Sequence, residues 1–324
     1  MRFNGNSIGV DGFALGEVVF NTSITGYQEI LSDPSYCNQL VTLTYPHIGN
    51  VGCNSVDMES FKTHLSGLII RQISMSYHNH RAEESLQDFL VKNRIVGIEN
   101  IDTRKLTLYL RKNGAKNGII VVDSGDIDFG SKDVEKFAKE RLRSFSGMTG
   151  KSLIEQVSGL TEEYCSREFI PNPNRKKDGF FVLIYDLGAK RNIVKTLMGL
   201  GCSVKIVGPG TKFADIKTLG ASGIVFSNGP GDPEPCTEAI KFARLAIEDR
   251  IPCLGICLGH QIISLALGGK TVKMSVGHHG ANHPVVNLKT GKVFITSQNH
   301  GFVVDEKRFK EIAEITHRSL FDGT

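Results

Sequence analysis

A cysteine between two closely spaced glycines is the strongest chemical signal in the sequence. The run is GICLGHQ at residues 255–261, and apolar stretches lie on both sides of it. The spacing predicts a strand, a sharp turn and a helix, with Cys257 at the turn, as in a nucleophile elbow. At that position the unpaired N–H groups and the positive end of the helix dipole favour a thiolate. The pattern therefore predicts a nucleophile, and the alternative is a small buried core cysteine.

A second loop supports the catalytic interpretation. The run SNGPGDP at residues 227–233 directly follows the apolar segment 223–226. In an open parallel sheet, sites form beyond the carboxyl ends of strands, where a glycine-rich loop directs N–H groups at a developing oxyanion. Glycine and proline are also typical of a simple turn. Two such loops at two strand ends favour a site over two turns.

The elements that must hold these loops alternate along the second half of the chain. This alternation of apolar strands with amphipathic helices predicts a parallel sheet covered by helices on both faces. The predicted strands are 180–185, 203–207, 223–226 and the run up to Cys257, and the predicted helices are 190–200 and 237–248. Beyond residue 271, shorter predicted strands at 285–288 and 293–296 indicate an antiparallel extension.

The first half shows no strict alternation, so we predict an independent α+β domain there. The predicted strands are 17–20, 40–45, 67–73 and 118–122, and the predicted helices are one between Asp102 and Gly114, one at 132–143 and one at 152–157. Residues 166–179 combine prolines, asparagines and a basic cluster, which is typical of a linker. The predicted domains are therefore residues 1–165 and 180–324, joined by the linker 166–179.

Composition limits the class of protein. A chain of 324 residues is long enough for two domains, and 40% apolar with 22% charged residues is ordinary for a globular protein. The net charge of +4 is spread out, so we expect no nucleic-acid partner. We also expect no membrane segment, because no apolar run approaches spanning length. Seven cysteines without framework spacing predict reduced thiols and a cytosolic protein.

Two tempting motifs are set aside. Gly150-Lys151-Ser152 is not a phosphate-binding loop, because the first glycine of that motif would fall at Phe145. The histidines in GHHGANHP at 277–284 lie in a predicted glycine-rich turn without cysteine or carboxylate at ligand spacing, so we expect no metal. His260 follows Cys257 by about one helical turn, and we expect it to pack or cap rather than to act as the base.

The motifs together resemble a known family. GICLGHQ and SNGPGDP resemble the triad-type, class I glutamine amidotransferases. Four further runs, over most of the chain, resemble the small chains of carbamoyl-phosphate synthetase: NTSITGYQEIL at 21–31, LTYPHIGN at 43–50, GHHGANHP at 277–284 and QNHGF at 298–302. The resemblance implies an α/β protein, with a swivelling β/β/α (α+β) domain followed by a class I glutamine amidotransferase domain whose mostly parallel sheet is flanked by helices.

The resemblance also assigns roles to residues. It implies that Cys257 attacks the glutamine carboxamide and that the oxyanion donors are the N–H groups of Gly229 and Leu258. The implied glutamine-binding residues are Ser35, Gly229, Gly231, Leu258, Gln261, Asn299, Gly301 and Phe302. Without the family, Ser35 would be interpreted as a turn residue. Because Ser35 comes from the first half of the chain, we expect the site near the domain junction.

The resemblance implies partners and leaves alternatives. It predicts a heterodimer with a large chain that uses ATP, magnesium and bicarbonate, with no cofactor on this chain, supplying arginine and pyrimidine biosynthesis. The family's His-Pro-Glu motif, which carries the base, is absent from residues 1–324, and we expect it downstream of a chain that looks truncated. Two other interpretations stay open: a free-standing glutaminase or other cysteine hydrolase of the same fold, and a non-catalytic interaction subunit.

Overall fold

The chain forms two compact units. The computed structural model describes residues 1–122, 133–159, 179–309 and 312–324. The first unit consists of Met1–Met58, Lys62–Met148 and Ser275–Asn282, and the second of Glu59–Phe61, Thr149–Met274 and His283–Thr324. Only Gly179 of the predicted linker 166–179 lies within the described residues, so the domain boundaries at 165 and 180 remain a prediction.

The first unit is built on a six-stranded mixed sheet with the order β1-β7-β5-β3-β2-β8. The four inner strands are parallel neighbours, and β1 and β8 are antiparallel edges. A separate parallel pair joins β4 and β6. The strands are β1 Asn6–Ser7, β2 Gly12–Asn21, β3 Gln39–Leu43, β4 His47–Ile48, β5 Gly67–Ile69, β6 Gln72–Ile73, β7 Val96–Glu99 and β8 Lys116–Val122. The predicted single strand 67–73 is wrong, because residues 72–73 leave the large sheet to pair with β4.

Four helices are described in the first unit: α1 Tyr27–Ser32, α2 Leu86–Lys92, α3 Thr103–Asn113 and α4 Val134–Ser144. The predicted boundaries of α3 are confirmed. The Asp102 carboxylate accepts a hydrogen bond from the Lys105 N–H at 2.8 Å, and Gly114 follows the helix with φ of 79°. Leu106 and Leu110 of α3 are buried with Ile120 and Leu40 of the sheet, so the apolar face of this helix covers it.

The second unit contains the predicted parallel sheet, with the order β10-β9-β11-β12. Its strands are β9 Phe181–Tyr185, β10 Ser203–Val207, β11 Gly223–Phe226 and β12 Cys253–Gly255. Its helices are α5 Ile154–Val157, α6 Arg191–Gly199, α7 Phe213–Lys217, α8 Thr237–Glu248 and α9 Leu258–Ala266. The predicted alternation of strand and helix is confirmed by this order of elements. Continuous apolar runs indicated the strands because parallel strands covered by helices are apolar on both faces.

An aromatic cluster fixes the carboxyl ends of the central strands. Tyr185 ends β9 and Phe226 ends β11, and both side chains are fully buried. The Tyr185 ring lies 4.5 Å from the Phe242 ring of α8, and the Phe226 and Tyr185 ring centroids are 5.6 Å apart. Because parallel neighbours end at one edge, the segments after β9, β11 and β12 start side by side.

Two long strands replace the predicted short ones after residue 271. They are β13 Thr271–Asn287 and β14 Val293–Val304, and β13 also pairs antiparallel with β15 His317–Ser319. The predicted glycine-rich turn at 277–284 is therefore wrong. Within the first unit, the Thr22 N–H donates to the His279 carbonyl at 3.2 Å, and the Ala115 N–H donates to the Ser275 carbonyl at 2.8 Å. These contacts with distant residues keep a histidine- and glycine-rich segment extended.

The predicted helix 152–157 is shorter than expected. It begins at Ile154, because Ser152 instead forms an isolated antiparallel bridge with Gly231 of the second unit. Among the described residues, no helix is long and apolar enough to cross a membrane. The cysteines at positions 37, 53, 202, 236, 253 and 257 are free thiols, and Cys165 lies outside the described residues.

Candidate active site

Cys257 occupies a strained backbone position between β12 and α9. Its φ is 53° and its ψ is −108°, and it is the residue immediately before the first residue of the helix. A non-glycine residue in such a conformation costs about 1–3 kcal/mol. The surrounding structure must therefore hold it there, as at the sharp strand-to-helix turn of a nucleophile elbow. The Cys257 side chain is partly exposed.

The glycines on either side of Cys257 are required by close packing. A Cβ atom on Gly259 would lie 2.1 Å from the carbonyl oxygen of Phe226, and a Cβ on Gly255 would lie 2.5 Å from the backbone of Gly259. Real Cβ atoms do not approach this closely. The first turn of α9 is thus pressed against the ends of β11 and β12, which explains the glycine spacing seen in the sequence.

Hydrogen bonds join the elbow to the loop that follows β11. The Ile256 N–H donates to the Phe226 carbonyl at 2.9 Å, and the Gly259 N–H donates to the Ser227 carbonyl at 3.0 Å. Leu258 lies between these two donors in sequence. Its backbone is therefore held in register with the start of the 227–233 loop.

The two predicted oxyanion donors lie in this joined region. Gly229 packs so closely that a Cβ there would lie 2.1 Å from the Leu187 carbonyl oxygen and 2.8 Å from the Leu258 side chain. Within the described residues, neither the Gly229 N–H nor the Leu258 N–H donates to a protein acceptor. A pair of uncommitted N–H groups beside a cysteine is the arrangement that stabilises an oxyanion.

Gly231 lies at the other end of the same loop. Its φ is 89°, and a Cβ on it would lie 2.7 Å from the Lys151 carbonyl oxygen, so no other residue fits without a shift. The neighbouring Asp232 carboxylate accepts from the Gly150 N–H at 2.9 Å, and its own N–H donates to the Lys151 carbonyl. The segment before α5 therefore supports this end of the loop.

Strand β14 supplies the remaining predicted residues of the second unit. The Cys257 Sγ donates to the Asn299 carbonyl at 3.2 Å, and the Gln261 Nε2 donates to the Phe302 carbonyl at 2.6 Å. Helix α9 thus holds β14 by its backbone beside the cysteine. Gly301 differs from the other glycines of the site, because a Cβ there would meet nothing within 4 Å and its φ is not positive.

Ser35 lies in the first unit, in a short 3₁₀ turn at Pro34–Tyr36. The turn is capped by the Asp33 carboxylate, which accepts from the Ser35 N–H at 2.9 Å. Only 8% of Ser35 is exposed. The turn expected from sequence is therefore present, and the assignment of Ser35 to glutamine binding remains a prediction.

His300 on β14 is the histidine that follows Asn299, whose carbonyl accepts from the Cys257 Sγ. His300 on β14 uses both ring nitrogens locally, since Nδ1 lies 2.9 Å from the Phe302 carbonyl oxygen and Nε2 lies 3.0 Å from the Gln298 Oε1. Among the described residues, no group of three or more histidines, cysteines and carboxylates could hold a metal ion.

Comparison with known proteins places this chain in a family. Residues 1–120 match the CPSase domain of the carbamoyl-phosphate synthase small chain, and residues 183–324 match class I glutamine amidotransferase. The carbamoyl phosphate synthase small chains of Neisseria meningitidis serogroup B and Vibrio cholerae are each 50% identical to this chain, covering 99% of it and 85% of theirs. The chain belongs to the carbamoyl-phosphate synthase small-chain family. The small chain of Photorhabdus laumondii is 48% identical to this chain, and the match covers all of this chain and 84% of that relative.

The small-chain family membership confirms the resemblance inferred from the motifs, and the fold class with it. All predicted site residues except Ser35 belong to the second unit, where hydrogen bonds and close packing connect β11, β12, α9 and β14. The sequence did not single out Ser227 and Asn228 individually, although both are buried polar residues of the loop. Their polar side chains directly before Gly229 were the available signal.

Proposed function

We propose that this chain is the glutaminase subunit of a carbamoyl-phosphate synthase, with Cys257 as the nucleophile. The observation that carries the proposal is the strained turn at Cys257, which is hydrogen-bonded to the glycine loop containing Gly229. A strained residue between a strand and a helix, next to uncommitted N–H groups, is the arrangement used for attack on a carbonyl carbon.

The reaction proceeds in two covalent steps. The Cys257 thiolate forms a bond to the side-chain carboxamide carbon of glutamine, and the carbonyl electron pair moves to the oxygen. Collapse of this tetrahedral species breaks the C–N bond and leaves a thioester, while the departing nitrogen takes up a proton and leaves as ammonia. Water then adds to the thioester, and glutamate and the free thiol are released. The covalent intermediate divides one difficult hydrolysis into two easier steps.

The N–H groups of Gly229 and Leu258 stabilise the negative oxygen in both steps. Each lies on backbone that is already fixed, Gly229 by its contact with Leu187 and Leu258 by the bonds of its neighbours. Such preorganised donors need no rearrangement when charge develops, and one donor is worth about 10²–10³-fold in rate. The proton for the leaving ammonia needs a general acid, and the expected His-Pro-Glu motif has no match in residues 1–324.

Glutamine binding is assigned to the residues that the family resemblance implies. These are Ser35, Gly229, Gly231, Leu258, Gln261, Asn299, Gly301 and Phe302. The open space above Gly301 supports the assignment, because neither packing nor a positive φ accounts for a glycine there. A glycine without a structural need is typical of a place where a ligand approaches the backbone.

The ammonia is passed to a large chain, which makes carbamoyl phosphate for arginine and pyrimidine biosynthesis. ATP, magnesium and bicarbonate act on the large chain, and this chain carries no cofactor of its own. The sequence supports this division, since it holds no G-x-x-x-x-G-K-[ST] run. The expected assembly is a heterodimer, and the expected compartment is the cytosol, where thiols remain reduced.

The test compares Cys257→Ser with Cys253→Ser, four residues earlier in the chain, in a parent protein that also carries the family's His-Pro-Glu motif and is in complex with the large chain. We expect Cys257→Ser to abolish glutamine-dependent carbamoyl phosphate synthesis and to leave ammonia-dependent synthesis intact. Cys253→Ser should retain both. Labelling with the glutamine analogue 6-diazo-5-oxo-norleucine, read by mass spectrometry, should modify Cys257 in the parent chain and in Cys253→Ser.

The outcomes distinguish the alternatives. Full glutamine-dependent synthesis by Cys257→Ser would remove the cysteine from the mechanism. Normal glutamine hydrolysis without any synthesis in the complex would make the chain a free-standing glutaminase. A stable complex without glutamine hydrolysis would make it a non-catalytic subunit.

A further inference from the structure

The peptide that carries the Gly229 N–H is held by side chains that no catalytic step uses directly. This peptide joins Asn228 to Gly229, is trans, and has its N–H and carbonyl pointing in opposite directions. A hydrogen bond that fixes the carbonyl therefore also sets the direction of the N–H. Both residues that precede Gly229 in the loop, Ser227 and Asn228, are buried, at 0% and 4% exposure.

Ser227 holds the carbonyl of this peptide. Its hydroxyl donates to the Asn228 carbonyl oxygen at 2.8 Å and accepts from the Leu187 N–H at 2.9 Å. The hydroxyl thus links the peptide plane to the residue that Gly229 packs against. A hydroxyl can donate and accept at once, and an alanine could do neither.

Asn228 holds the same peptide from its side chain. The Oδ1 accepts from the Lys190 N–H at 3.2 Å, and the Nδ2 donates to the Gly188 carbonyl at 3.0 Å. Residues 188–190, which these two bonds contact, are themselves held in place, because the Asp186 carboxylate accepts from the N–H groups of Gly188 and Ala189 at 3.0 and 2.8 Å. The pattern requires an amide. An aspartate of the same shape would place an oxygen against the Gly188 carbonyl.

We propose that Ser227 and Asn228 are positioning residues for glutamine hydrolysis, which set the direction of the Gly229 N–H toward the developing oxyanion. The inference rests on the proposed function and adds two residues to it. Neither side chain touches the reacting atoms. They act through the orientation of one peptide, so their effect is confined to states in which the oxygen carries negative charge.

The experiment uses Ser227→Ala and Asn228→Asp in the same parent protein, which carries the His-Pro-Glu motif, in complex with the large chain. We expect kcat for glutamine hydrolysis to fall about 10- to 100-fold, less than the roughly 10²–10³-fold for a lost donor. The KM for glutamine should stay within about twofold, because ground-state binding changes little. The rate of Cys257 alkylation by iodoacetamide should be unchanged, since that reaction forms no oxyanion. Ser203→Ala, a buried serine of β10, is the matched control and should retain full activity.

The inhibition constant of an aldehyde distinguishes a positioning role from a purely structural one. The Cys257 thiolate adds to the aldehyde carbon of glutamate γ-semialdehyde, the C=O electron pair moves to oxygen, and the resulting alkoxide occupies the oxyanion position. Its inhibition constant should rise by the same factor as kcat falls in both variants.

Several results would overturn the inference. They are an unchanged kcat, an equal loss of hydrolysis and alkylation, a change in KM alone, or the failure of both variants to fold while Ser203→Ala folds. If the parent complex itself fails to hydrolyse glutamine, the proposed function fails first. Parent activity with unaffected variants rejects only the roles of Ser227 and Asn228.

Discussion

The strain at Cys257 predicts an inversion of the usual effect of glycine on stability. At ordinary positions, replacing alanine by glycine costs about 0.5–1 kcal/mol, because glycine loses more backbone freedom on folding. At Cys257, with φ of 53° and ψ of −108°, a side chain costs about 1–3 kcal/mol that glycine does not. Subtracting the two effects leaves Cys257→Gly more stable than Cys257→Ala by up to about 2.5 kcal/mol.

Cys253 provides the matched pair, because it lies four residues earlier in β12 and its φ is not positive. There Cys253→Gly should be less stable than Cys253→Ala by about 0.5–1 kcal/mol. The four variants are compared by urea denaturation followed by circular dichroism, since the chain contains no tryptophan. Both Cys257 variants should lack glutamine hydrolysis, so that the more stable one is also inactive.

The sign of the stability difference between the glycine and alanine variants decides whether Cys257 is strained. If glycine is less stable than alanine at both positions, the elbow is not strained, and the observation that carries the proposed function loses its force. If glycine is favoured only at Cys257, the strain is confirmed as energy that the folded chain stores at the nucleophile.

Two further predictions concern glutamine binding and pH. Gly301→Ala should fold as well as the parent chain and raise the KM for glutamine tenfold or more, because a methyl group in the binding path costs about 1–3 kcal/mol. The control is Gly199→Ala, where the added Cβ also meets nothing within 4 Å. An unchanged KM in Gly301→Ala would remove Gly301 from the site. Burial, aided by Lys62, lowers the pKa of His64 to about 4, so the unfolded chain takes up the proton first as pH falls. The free energy of unfolding should therefore fall by on the order of 3 kcal/mol between pH 6.5 and pH 4, as measured by urea denaturation. His64→Gln should show a smaller fall. An equal fall in the variant would contradict the role of His64.

Local patterns were sufficient for much of the fold. The strands β10 and β11 and the helix α8 have the predicted bounds, because apolar runs and helical periodicity are properties of a few neighbouring residues. Prediction failed where distant residues supply the hydrogen bonds. The histidine- and glycine-rich part of β13 was predicted to turn, yet Thr22 and Ala115, far away in sequence, pair with it and keep it extended.

The sequence by itself determined the chemistry-bearing turn at Cys257 and the glycine loop at 227–233, since both depend on the order and spacing of residues along one short segment. Only the tertiary structure decided how the two are held. Leu187 and Ser227 are 40 positions apart, and their hydrogen bond, like the close approach of Gly229 to Leu187, exists only because β9 and β11 are neighbours in the sheet. Which N–H groups remain uncommitted, and which side chains direct them, is set by packing across strands and cannot be encoded in the spacing of a single loop.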